Sequence, residues 1–132
     1  MVGIQSAFCA PLYRAFKRGK KEVPRIDKKE TIAEGIAIAE PVRGRQILEA
    51  VRKTKGEILS VTEEEISGAL WELGRRGHYI EPTAAATMAG LQKYLKHFKK
   101  EVVVSTLTGA GLKATGKISH LSIKSQRQKE MV

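Results

Sequence analysis

The stretch Glu57-Ile58-Leu59-Ser60-Val61-Thr62-Glu63-Glu64-Glu65-Ile66-Ser67-Gly68-Ala69-Leu70-Trp71-Glu72-Leu73-Gly74-Arg75-Arg76-Gly77 holds two kinds of backbone in one continuous run. Residues 57–61 read as a strand. Thr62-Glu63-Glu64-Glu65 has the form of a capping box, in which the threonine hydroxyl accepts from the third backbone N–H and Glu65 reaches back. Ile66, Ala69, Leu70 and Leu73 then fall on one stripe of a helix that ends at Arg75-Arg76-Gly77.

Working outward, Ile47, Leu48 and Val51 mark a preceding helix face that ends at Gly56. Downstream, His78-Tyr79-Ile80 reads as a short strand, Glu81-Pro82 opens a helix running to about Phe98, and Val102 to Leu107 reads as a continuous apolar strand. Such runs belong to parallel strands covered on both faces. The order from Arg45 is therefore α-β-α-β-α-β, which right-handed crossovers turn into a parallel sheet. The expected fold class is α/β, three-layered, with helices on both faces of that sheet. Ala84, Ala85, Ala86, Ala89 and Gly90 carry little bulk, so their helix can approach a neighbour closely.

At the other end, Gly3-Ile4-Gln5 looks like the end of a strand. Pro11 suits the first position of a helix, Leu12, Ala15 and Phe16 share a face, and Gly19 stops the run. Residues 20–43, with Pro24 and Pro41, read as a long connection holding a short helix or turn. Beyond Lys113 the chain turns polar, with Ile118, Leu121 and Ile123 as the apolar marks of its middle, and a loosely packed or frayed tail is expected.

Composition bounds the function classes. With 132 residues, 42% of them hydrophobic, the chain suits one globular domain, and no apolar run is long enough to span a bilayer. A lone Cys9 excludes an internal disulfide, suits a reducing cytoplasm and reads as a packed small hydrophobe. The basic first twenty residues lack the apolar core of a leader and read as folded chain.

In open α/β sheets ligands sit beyond the carboxyl ends of strands, which directs attention to Gln5-Ser6-Ala7, Thr62, Glu81-Pro82-Thr83 and Thr108-Gly109-Ala110-Gly111. Glu81 is a carboxylate where strand meets helix, and Thr108 is a hydroxyl followed by two glycines that remove side-chain bulk. Each has a plainer explanation: Glu81 favours the helix dipole, and Thr108 begins an ordinary glycine turn. No phosphate-binding glycine loop and no metal-ligand spacing of Cys and His occurs. His78, His97 and His120 are scattered and read as neither bases nor ligands, and Trp71 and Tyr79 read as packing residues.

The ordered set Gly3-Ile4-Gln5, Ala10-Pro11, Glu30-Thr31-Ile32-Ala33, Ile47-Leu48-Glu49-Ala50, Val61-Thr62-Glu63-Glu64-Glu65-Ile66, Glu81-Pro82-Thr83-Ala84-Ala85 and Leu107-Thr108-Gly109-Ala110-Gly111-Leu112-Lys113 resembles the C-terminal third of threonine synthases. These are pyridoxal-phosphate enzymes of the tryptophan-synthase-β fold type. The resemblance implies that residues 1–113 are the C-terminal part of a large cofactor-binding domain and that 114–132 are a polar tail. It implies conversion of O-phosphohomoserine and water to threonine and phosphate, an amino-acid substrate, and pyridoxal phosphate as cofactor. Thr108 maps onto the hydroxyl that bonds the pyridine nitrogen, Gly109 and Gly111 onto the bare turn beside it, and Glu81 onto the pocket-lining Glu-Pro segment. The family's Schiff-base lysine and phosphate-cradling loop match nothing here, so no catalytic residue is assigned to this chain. Ser6-Ala7-Phe8 stands where the family commonly has Ala-Glu-Gly, and Ala110 replaces a frequent histidine.

The resemblance therefore implies a partner, the N-terminal part of the enzyme, without which the chain is inactive. Uncovered sheet edges make self-association into a homo-oligomer the expectation for the chain alone. A threonine or serine dehydratase fragment is the nearest alternative. A third class is a small basic nucleic-acid-binding protein, suggested by the net charge of +10. Its bases are dispersed, however, without aromatic interleaving, so neither nucleic acid nor membrane is an expected partner. A scaffold or regulatory domain with a lapsed pocket is the fourth.

Overall fold

Val2–Ser6 (β1) and Glu57–Val61 (β2) lie parallel and in register, with Gly3 opposite Ile58, Ile4 opposite Leu59 and Ser6 opposite Val61. The computed structural model describes residues 1–96 and 102–130. Between the two strands run a helix α1, Pro11–Lys17, a single 3-10 turn at Glu34–Ile36, and α2, Gly44–Lys53. After β2 come α3, Glu63–Arg75, α4, Pro82–Leu95, a second 3-10 turn at Gly111–Ala114, and α5, Thr115–Glu130.

Alternation along the strands divides the core into two layers. Ile58 faces α1 and α2, where it is buried with Ala15, Leu48 and Val51. Ile4 and Val61 face α3 and α4, among Ile66, Ala69, Leu70, Ile80, Ala84 and Ala85. Fully burying a side chain such as Leu48, Ile58 or Ile66 stabilises the fold by roughly 1.5–3 kcal/mol each, so both faces of this small sheet are anchored. The α/β class with a parallel sheet between helical layers is thus the observed one.

Local signals read correctly at several points. The capping box is complete: Thr62 Oγ1 accepts from the Glu65 amide at 3.2 Å, and Glu65 Oε2 accepts from the Thr62 amide at 2.8 Å. Pro11 opens α1, and Gly19 and Gly77 follow helices in the left-handed region, with φ of 65° and 88°. Gly56 has a different reason. The left-handed turn after α2 falls on Lys55, and Gly56 is bare because a Cβ would strike the Met1 carbonyl oxygen. The small face of α4 does allow close approach, since a Cβ on Gly90 would run into the Ile4 side chain.

The expected longer sheet is not formed among the described residues. Ile80 makes only an isolated antiparallel bridge with Ala110, and residues 102–109 are irregular, although Val102–Leu107 has the composition of a buried strand. A strand needs a ladder, and here a groove separates the run from β1, leaving Val102 95% and Val104 90% exposed. The tail also departs from expectation. Residues 115–130 are helical, and Ile118, one turn from Leu121, is 7% exposed within the α3 and α4 layer. Lys117 adds an ion pair with Glu34. The residues read as the end of the helix after Pro82, His97 and Phe98, lie outside the described residues. Among the described residues, no helix is long and apolar enough to cross a membrane.

Candidate functional site

The chain that enters α4 and the chain that leaves the 102–109 segment are joined by two backbone hydrogen bonds. Glu81 N–H donates to the Gly109 carbonyl at 3.0 Å, and Gly111 N–H donates to the Tyr79 carbonyl at 2.9 Å. Pro82 occupies the first turn of α4, which leaves Glu81 extended at the N-cap with φ −78° and ψ 157°. Its carboxylate makes no cap hydrogen bond and instead lies over Gly109, where a Cβ would collide with it. On the other side the Tyr79 ring crosses Gly111, whose Cβ would sit 2.9 Å from Tyr79 Cε1. Glu81, Gly109 and Gly111 are therefore drawn together, with Thr108 next in the chain, exposed and lining the groove against β1.

The plainer explanations can now be weighed. Glu81 does stand at a helix start, but its side chain is turned onto the glycine turn and does not cap the helix. Gly111 is crowded by the Tyr79 ring and the Ile80 carbonyl, and a side chain at Gly109 would displace the Glu81 carboxylate. Tyr79 is held there too, donating its hydroxyl to Thr115 Oγ1 at 3.1 Å.

At the carboxyl ends of β1 and β2 a second cluster forms around Glu63, the first residue of α3. Its Oε1 accepts from Ser6 Oγ at 2.9 Å and from Thr31 Oγ1 at 2.6 Å, while Oε2 accepts from the Ile32 amide at 2.7 Å. Ser6 and Thr31 are buried, and each hydroxyl accepts from a nearby amide, that of Phe8 and of Ala33, while donating to the carboxylate, which so ties both and a loop amide to the helix start. The tied loop continues to Gly35, which packs against Thr83 at the start of α4, and so connects this cluster to the Glu81 region. Sequence reading missed Glu63. Its acidic first-turn position was visible, but its partners lie 57 and 31 residues away.

Gln5 does not join either cluster as an open group. It is buried, and its Oε1 accepts from the Tyr13 amide at 2.9 Å, which fixes α1 to the end of β1. Cys9 is fully buried, and burial pushes its thiol pKa up against the opposing influence of Lys28 and Arg14, which disfavours the reactive thiolate. Trp71 packs against the α3 and α4 layer. Among the described residues no three His, Cys, Asp or Glu side chains are grouped so as to hold a metal ion.

Comparison with known proteins gives this geometry a context. Residues 1–109 match the family model described as pyridoxal-phosphate dependent enzyme. Threonine synthase from Methanocaldococcus jannaschii is 37% identical over 117 residues, covering 86% of this chain and 29% of the relative. Threonine synthase from Methanosarcina acetivorans is 38% identical with the same coverage of both chains, 86% and 29%. Among solved structures, a serine racemase from Dictyostelium discoideum superposes with a TM-score of 0.59 at 23% identity, over 83% of this chain and 34% of that one. A threonine deaminase from T.th. gives 0.56 at 22% identity, over 76% and 35%. These two likenesses concern the fold. The chain spans less than a third of the length of the curated relatives it matches.

Proposed function

The chain belongs to the pyridoxal-phosphate dependent enzyme family, and from that premise we propose that it is the C-terminal part of a threonine synthase, competent only when joined by the N-terminal part. The reaction is the conversion of O-phosphohomoserine and water to threonine and phosphate. What carries this reading is the juxtaposition of Glu81, Thr108 and Gly109 in a chain whose likeness to threonine synthases extends over most of its length. Residues 1–113 form the cofactor-domain part, and the helical segment beyond them docks on it through Ile118.

The residues present fit one wall of a pyridoxal phosphate site. Bound there, the cofactor supplies the electron sink for carbanion chemistry on the amino acid. Thr108, whose side chain is exposed, would present a neutral hydroxyl to the cofactor ring, a partner that would temper the sink compared with a carboxylate. Gly109 and Gly111 keep the backbone bare, and Glu81, held over Gly109, lines the pocket edge. The network around Glu63 fixes the loop that begins at Thr31 against the ends of both strands. The lysine that would hold the cofactor and the loop for its phosphate are supplied by the other part.

The test mixes this chain with the unmatched two thirds of an archaeal relative, adds pyridoxal phosphate and measures phosphate release from O-phosphohomoserine. Release from the mixture alone, lowered by Thr108→Ala, is the expected outcome. Consumption of threonine with formation of a keto acid, in place of phosphate release, would assign the chain to a dehydratase.

A further inference from the structure

The outer edge of β1 forms no ladder among the described residues, because β2 occupies only its other side. Facing that edge across a groove of about 460 Å³ is the irregular run that contains Val103 and Ser105, and α4 forms the floor through Gly90 and Leu91. Among the described residues, no charged side chain lines this groove. Within it Ser105 Oγ is buried and, among the described residues, without a hydrogen-bond partner, an unmet polar group in an uncharged slot that valines and Ile4 share with Thr87, Thr106 and Thr108. The run has the β-branched composition of a central strand, yet its valines at 102 and 104 stand in solvent.

Resting on the reading that a larger part of the enzyme completes this chain, we propose that the groove is where that part docks, by inserting an uncharged apolar β-strand between β1 and Val102–Leu107. The inserted strand would take β1's free edge as a ladder, convert 102–107 into the strand its composition suits, and satisfy Ser105 Oγ. The occupant is argued from the neutral lining, the unpaired edge and the more than two thirds of the relatives' length that this chain does not cover.

The experiment is amide hydrogen exchange on the full chain, with and without the unmatched two thirds of an archaeal relative as the probe. Exchange at residues 2–6 and 102–107 slows about 100-fold in the complex if a ladder forms on both banks. Val104→Asp, at a position too exposed to unfold the chain, weakens association about 10-fold or more, whereas Val42→Asp, on the 98% exposed Val42 outside the groove, leaves it unchanged. A complex whose protection lies elsewhere overturns the docking site but leaves the two-part enzyme standing. Absence of any complex overturns both. Protection that arises in the chain alone and grows with its concentration shows a second copy in the groove, and overturns the assignment of its occupant.

Discussion

At the carboxyl ends of β1 and β2 one carboxylate, Glu63, holds Ser6, Thr31 and the Ile32 amide, whereas along the outer edge of β1 an apolar run lies across a groove with no ladder between them among the described residues. The first region is closed by partners within this chain. The second has the side chains of a sheet interior and the exposure of a surface. The contrast teaches that the chain stabilises the ends of its strands by itself, while the outer edge of β1 is left without a ladder among the described residues, the edge at which we propose that the sheet is widened. Small two-stranded sheets need helical support, which α4 gives on one face and α1 and α2 give on the other, but neither covers the outer edge of β1 with a ladder.

The contrast can be broken most forcibly at Glu63. Glu63→Ala removes the acceptor of two buried hydroxyl donors and of the Ile32 amide, and urea unfolding should show a loss of about 3 kcal/mol, with Glu63→Gln losing less. Gly90→Ala pushes a methyl into Ile4, and despite the better helix propensity of alanine it should cost about 1–2 kcal/mol, partly recovered when Ile4→Val is added. Thr62→Ala removes half of the capping box and should lower stability by about 1 kcal/mol, read from the shift of the urea midpoint. Val104→Asp, in the open region, should change the stability of the isolated chain by less than about 0.5 kcal/mol. A loss there as large as that at Glu63 would mean that the run is packed, and would erase the distinction between the two regions.

Much of the first region was legible in the sequence because its signals are local. Residues 57–61, the Thr62 to Glu65 box and the stripe through Leu73 each depend on neighbours within a few positions, and all three formed as read. Glu81 and Thr108 were chosen by their places after expected strands, and the backbone pairing of Glu81 with Gly109, next to Thr108, was not itself visible. Glu63 was missed because a carboxylate early in a helix carries no mark of partners far along the chain. Val102–Leu107 was read as a strand from composition, but strand formation is a property of a pair, and the needed partner is not among the described residues. The segment after Lys113 looked frayed because large apolar residues are sparse in it. Ile118 and Leu121, a turn apart, were enough to hold a helix to the core.

The most direct measurement is a titration of pyridoxal phosphate, followed by absorbance, against this chain, against the complementary two thirds of an archaeal relative, and against their mixture. The account predicts tight, spectrally shifted binding in the mixture, weakened by Thr108→Val and absent from this chain alone. Tight binding by the isolated chain through one of its own lysines, or a mixture that binds no better than the complement by itself, would contradict it.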